Sequence, residues 1–282
     1  RFALTAGMDG TLRLWAPKTG ACKHVFKLSE QDGGGGGGLT CLSAGGGPDG
    51  QLAVAGCEDG TAGVVHLKGR KNVATLAHYD GPSPSASGAA AAGGMDVDDG
   101  EGDDGAMQDA RSVEAVSFAP SSVNPHWVAT GGVDGAVKVW DLTHGTGQMR
   151  HACRPSPQGE GEGSVDVGGV TSLRWHPTLP VLLASYADGS VRIWDARDGA
   201  AVATLQGGHD GVMINGMDAQ FVVPGEGGSG GKAVVVTAVD DGSVKVFEVD
   251  VDGTIARAAE ERRARLAQAQ QAQQQAQQQA AP

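Results

Sequence analysis

Apolar and polar residues alternate along this chain in short bursts, and the bursts recur. Each of five Asp-Gly pairs (Asp9-Gly10, Asp59-Gly60, Asp134-Gly135, Asp188-Gly189, Asp241-Gly242) opens a period-two run. Leu12 and Leu14, Val137 and Val139, Val191 and Ile193, and Val244 and Val246 form its apolar beat, with Arg13, Lys138, Arg192 and Lys245 between them. Six residues after each Asp stand Trp15, Val65, Trp140, Trp194 and Phe247, the second copy being degraded to Ala62-Gly63-Val64. Period two puts successive side chains on opposite faces of a strand. Asp-Gly is the hairpin signal, because its tight turn needs a residue that tolerates positive φ.

Apolar runs at 2–5, 52–55, 128–130, 182–185 and 234–237 precede the turns, and 39–42, 113–118, 170–175 and 212–214 precede those. Further short strands are predicted at 22–26, 73–76 and 202–205. Four strands per unit with no helix between them predict an all-β fold, the blades of a β-propeller. The turns are spaced by 50, 75, 54 and 53 residues, against a usual unit of about 40–45. The excess falls at 33–38, 80–111, 154–169 and 224–231, which are polar, Gly-rich or Pro-rich and therefore loops.

Composition sharpens this picture. Gly supplies 47 of 282 residues without a period of three, which excludes collagen. The formal charge is −12, which argues against direct nucleic-acid or anionic-membrane binding and for a basic protein partner. Residues 80–111 hold eight acids against one Arg, a balance of −7. Four cysteines without a C-x-x-C pair argue against zinc and against a disulfide scaffold. No apolar run approaches the ~20 residues that span a bilayer. Arg1 sits inside what reads as a strand, so the natural start is expected upstream.

Val139-Trp140-Asp141 and Ile193-Trp194-Asp195 resemble WD-repeat endings, and Gly208-His209 resembles a repeat opening. Residues 23–26 (KHVF), 39–41 (LTC), 112–114 (SVE), 188–197 (DGSVRIWDAR) and 245–247 (KVF) resemble the angio-associated migratory cell protein family. Its fungal branch is a chaperone dedicated to one large-subunit ribosomal protein. The resemblance implies a WD-repeat propeller of seven blades, of which five are visible here, N-terminally truncated. The implied organisation is incomplete and complete blades over 1–79, an acidic low-complexity insert over 80–111, three further blades over 112–252, and an Ala/Gln-rich tail over 253–282. That tail is expected to be a frayed helix or disordered.

Among candidate sites, the turn residues Asp9, Asp59, Asp134, Asp188 and Asp241 are expected to hold their own turns, with Trp15, Trp140 and Trp194 as blade residues. His209 is expected to be the one histidine able to join a His–Thr–Asp string, beside Thr237 and Asp241; other blades should then be held by packing. Residues 225–232 (GEGGSGGK) fail as a phosphate loop, with Glu226 and Ala233 where Gly and Ser/Thr are needed. No cofactor, metal, nucleotide or catalytic activity is expected, and the cysteines read as small core residues. Glu58 and Asp240, beside turn aspartates, and Asp96, Asp98, Asp99, Glu101, Asp103 and Asp104 in the insert are the candidate partner-binding acids.

The function so predicted is a non-catalytic binding propeller that escorts a basic protein, a large-subunit ribosomal protein by resemblance, in the cytoplasm with nuclear access. It is expected to be a monomer at full length. Two alternatives stay open: a signalling or migration scaffold, and the substrate receptor of a cullin-RING ubiquitin ligase, suggested by residues 182–197 ending Trp194-Asp195-Ala196-Arg197.

Overall fold

The computed structural model describes residues 2–28, 37–79, 111–155, 168–205, 211–222 and 231–279. Among them are five antiparallel sheets, each built from strands consecutive in the chain. The first has β1 (Ala3–Ala6), β2 (Thr11–Ala16) and β3 (Ala21–Lys27); the second has β4 (Leu39–Gly46), β5 (Leu52–Cys57), β6 (Thr61–His66) and β7 (Lys71–Ala77). The third has β8 (Val113–Phe118), β9 (Trp127–Gly132), β10 (Val137–Asp141) and β11 (Gln148–Cys153). The fourth has β12 (Val170–Trp175), β13 (Val181–Tyr186), β14 (Val191–Asp195) and β15 (Ala201–Leu205). The fifth has β16 (Ile214–Val222), β17 (Lys232–Val239) and β18 (Val244–Asp250), and α1 (Val251–Gln279) follows.

Burial explains why some strands alternate and others do not. All six positions of β5, β9 and β13 are buried, so each reads as a continuous apolar run sandwiched between neighbouring blades. The outer strands keep one or no fully buried position: Phe26 in β3, Leu76 in β7, Cys153 in β11. Runs at 22–26, 73–76 and 202–205 still mark β3, β7 and β15, whereas β11 (QMRHAC) lacks any β-branched residue and is not predicted. The core is four clusters, one between each successive pair of blades. Inner strands meet in order, β4 against β8, β8 against β12 and β12 against β16.

Among the described residues the first and fifth sheets have three strands and the other three have four. Where a fourth strand would pair with β18, the chain turns into α1. Asp250 accepts the Gly253 N–H at 3.0 Å as a cap, Val251 is buried, Ile255 packs on the fifth blade's core, and Arg262 pairs with Asp198. Residues 251–279 are therefore a single continuous helix whose first turns dock on β15, β17 and β18. The tail, expected to be helical or disordered, is a helix whose first turns rest on the blades through Val251, Ile255 and the Arg262–Asp198 pair.

Candidate functional site

Each tight turn is closed by its own aspartate. Asp9, Asp59, Asp134, Asp188 and Asp241 accept the backbone N–H two residues on at 3.2, 2.8, 3.1, 2.9 and 2.8 Å. The following Gly stands at φ between 70° and 86° in all five, where a Cβ would be strained. Three of these carboxylates carry an arginine as well: Asp9 with Arg13, Asp134 with Arg154 at 3.3 Å, and Asp188 with Arg192 at 2.7 Å. The turn aspartates are thus structural, and three are partly neutralised.

One blade is fastened by a buried polar string that sequence reading missed. His78, fully buried, sits 2.7 Å from Thr130 Oγ1 through Nδ1 and 3.3 Å from Asp134 Oδ1 through Nε2. Trp140 Nε1 donates to the same Thr130 oxygen at 2.9 Å. Trp140 can only donate, so the Thr130 hydroxyl hydrogen is free to go to His78 Nδ1, and Nε2–H then donates to Asp134. The expectation that only His209 could play this part is corrected. His78 closes the third blade from the end of β7, and it was overlooked because 34 residues separate it from the next strand at Val113. The spacing Thr130, Asp134, Trp140 was the available signal, since Thr5, Asp9 and Trp15 repeat it, with Trp15 Nε1 on Thr5 Oγ1 at 2.9 Å. In the fourth blade Trp194 donates instead to Tyr186 Oη at 3.1 Å. Polar contacts therefore fasten more blades than expected; His209 itself lies outside the described residues.

Burial opposes charge on Asp134, but the His78 and Ala136 hydrogen bonds and the nearby Arg154 outweigh it and hold the carboxyl below its ordinary value. The same balance, with Arg197 as the main partner, lowers Asp195. Burial pushes the Tyr79 phenol up to about 12, helped by the Asp134 charge. Burial likewise raises the Cys41 thiol to about 11 and the Cys153 thiol to about 12. Cys57 and Cys153 are core residues as expected, whereas Cys22 is exposed on β3.

The string also fixes where the acidic insert leaves the blades. His78 N–H bonds Gly60 O at 3.1 Å; Tyr79 Oη donates to Ser112 O at 3.2 Å and accepts from Asp134 N at 3.3 Å. A Cβ on Gly60 would meet Tyr79 Cδ2 at 2.7 Å and Arg111 O at 2.9 Å, so both stems lie against that turn. Tyr79 and Arg111 therefore sit on the Asp-Gly end of the blades. Asp96, Asp98, Asp99, Glu101, Asp103 and Asp104 lie outside the described residues.

Glu58 and Asp240 are exposed on the same end. Glu58 also accepts the Gly38 N–H at 2.8 Å, and Asp240 accepts from Asn215 at 3.2 Å. Among the described residues no group of three His, Cys, Asp or Glu side chains is placed to hold a metal, and no helix is long and apolar enough to cross a membrane. Arg197 gives its guanidinium to Asp195, at 3.0 and 2.7 Å.

A family model described as WD domain, G-beta repeat matches residues 108–141 and 158–195. The chain is 31% identical over 239 residues to the angio-associated migratory cell protein of Homo sapiens, covering 85% of this chain and 44% of that protein. It is 26% identical over 140 residues to the ribosome biogenesis protein YTM1 of Laccaria bicolor, covering 50% of this chain and 23% of that protein. The crystal structure of Saccharomyces cerevisiae Sqt1 superposes with a TM-score of 0.60 at 19% identity, covering 87% of this chain and 55% of that chain. The chain spans less than half the length of these curated relatives. Repeated turns, stacked antiparallel blades and these likenesses agree: the chain has a β-propeller fold and carries two segments that match the WD repeat.

Proposed function

We propose that this chain is a non-catalytic binding platform whose Asp-Gly end, with the 80–111 insert at its rim, captures a basic segment of a ribosomal protein during ribosome assembly. The fold and the relatives' names point to a protein-interaction family that includes ribosome biogenesis proteins. The observation that carries the finer reading is the insert: a balance of −7 tethered between Tyr79 and Arg111 beside the Asp59 and Asp134 turns. Three turn aspartates are paired with arginines, and residues 80–111 carry a balance of −7 in a chain of −12, with Glu58 and Asp240 as further contributors. A ribosomal protein outside the ribosome exposes Lys and Arg that otherwise meet RNA, and an acidic tether masks them by charge complementarity. Work in the cytoplasm with passage to the nucleus fits this role.

Surface biosensor kinetics with a basic ribosomal-protein peptide test the proposal. Charge steering is screened over about 8 Å at physiological salt, so association should slow steeply as salt rises. Deleting 96–109 should slow it as well. Binding that ignores both salt and the deletion overturns the reading. The cullin-receptor alternative gains nothing here, since the Arg197 side chain is engaged by Asp195 within its own blade.

A further inference from the structure

At the end of the blades opposite the Asp-Gly turns, a cleft of about 590 Å³ opens between the first and second sheets. Its apolar lining includes Phe2, Leu14 and Leu67, and its cations are Lys23, Lys68 and Arg70. Lys23, Lys68 and Arg70 are exposed, and none is ion-paired with a described carboxylate. The nearby Asp49 faces His66 at 3.4 Å. In a chain of net charge −12 this is a local reversal of sign.

A second observation points to the same place. Arg70 has φ 51°, the one non-glycine residue in the left-handed region among those described. It stands four residues after the end of β6. The matching position four residues after β2, β10 and β14 is Gly20, Gly145 and Gly199, each with φ between 67° and 74°. Three blades thus use glycine where the backbone demands it, and the second sets a long cation there against its conformational preference. Such an outlier argues for a use of the side chain.

We propose that this cleft docks an acidic peptide segment of a partner protein, with a large apolar side chain seated on Phe2, Leu14 and Leu67 and its carboxylates met by Lys23, Lys68 and Arg70. Charge complementarity selects an acidic ligand, and the apolar floor selects a peptide side chain over a bare polyanion. Three cations around a pocket lack the long basic track that nucleic acid needs. The site is on the opposite end from the proposed basic-segment site and does not depend on it.

The test uses the full chain and a fluorescein-labelled peptide of two adjacent leucines flanked by glutamates, read by anisotropy. Arg70→Gly should weaken binding several-fold while keeping or raising the melting temperature, so a folding defect cannot mimic the result. Lys23→Glu with Lys68→Glu, or replacing the leucines by serine, should each weaken it by about tenfold or more. Deleting 96–109 should leave it unchanged. Equal affinity for Arg70→Gly and the parent, or for the serine peptide and the leucine peptide, overturns the proposal. So does tighter binding of a single-stranded RNA oligomer or phosphatidylserine vesicles that depends on the same three cations.

Discussion

Replacing Thr130 by Val removes one hydroxyl at nearly constant volume, at a fully buried position. The Trp140 N–H then loses its acceptor, and His78 Nδ1 loses its donor. Each buried polar group left without a partner costs about 1–3 kcal/mol, so the pair should cost about 2–6 kcal/mol. For a chain of this size 1 kcal/mol moves the melting temperature by about 2–4 °C. A drop of about 8–16 °C is therefore expected near the middle of that range. Thr5→Val is the internal control, because it removes the same kind of bond to Trp15 at an exposed threonine. Water replaces that bond, and its loss should cost about 0.5 kcal/mol or less. Differential scanning fluorimetry of both variants, with hydrogen exchange across β8, β9 and β10, reads the comparison. Equal shifts for the two variants, or no measurable shift for Thr130→Val, would refute the view that the His78 string fastens the third blade.

Gly131→Ala would bring a Cβ within 2.8 Å of Val170 Cβ across the interface of the third and fourth blades, and overpacking of this kind costs about 1–3 kcal/mol; urea unfolding should show it. Val244 and Val246 are 63% and 64% exposed on β18, an edge strand among the described residues; the double Lys variant should reduce self-association in light scattering, because charge discourages edge pairing. Burial holds the His176 pKa below its ordinary 6.5, the Asp252 charge opposing, and its Nδ1 accepts from Thr178 N and Leu179 N at 3.2 and 2.9 Å. A histidine favoured in its neutral form contributes stability that is present above 6.5 and lost as pH falls through its folded value. Amide exchange at Thr178 and Leu179 should accelerate below that point, and His176→Asn should flatten the dependence.

The blades were legible because their signals are local. An Asp-Gly pair and six alternating residues contain the turn and both flanking strands, and β8 and β12 coincide with the predicted runs. Two parts resisted. Of the outer strands, β3, β7 and β15 are predicted, but β11 (QMRHAC) holds no β-branched residue and only one buried position, so no apolar pattern marks it. The His78 string joins residues 52 to 62 positions apart, and the insert broke the spacing that would have tied His78 to its blade. The docking of α1 was not legible for a different reason: it depends on where β15 and β18 end, and composition carries no trace of that. Glu58 and Asp240 were legible only as neighbours of turn aspartates; both are exposed, and each accepts a hydrogen bond, from Gly38 N and from Asn215.

Hydrogen exchange of the full chain, with and without a basic ribosomal-protein peptide, tests the central claim most directly. The expected footprint is protection at residues 57–61, 132–136 and 238–243, lost at high salt and weakened by deleting 96–109. Protection confined to residues 47–50 and 67–70 at the opposite end, or none at a concentration that saturates the peptide, would contradict it.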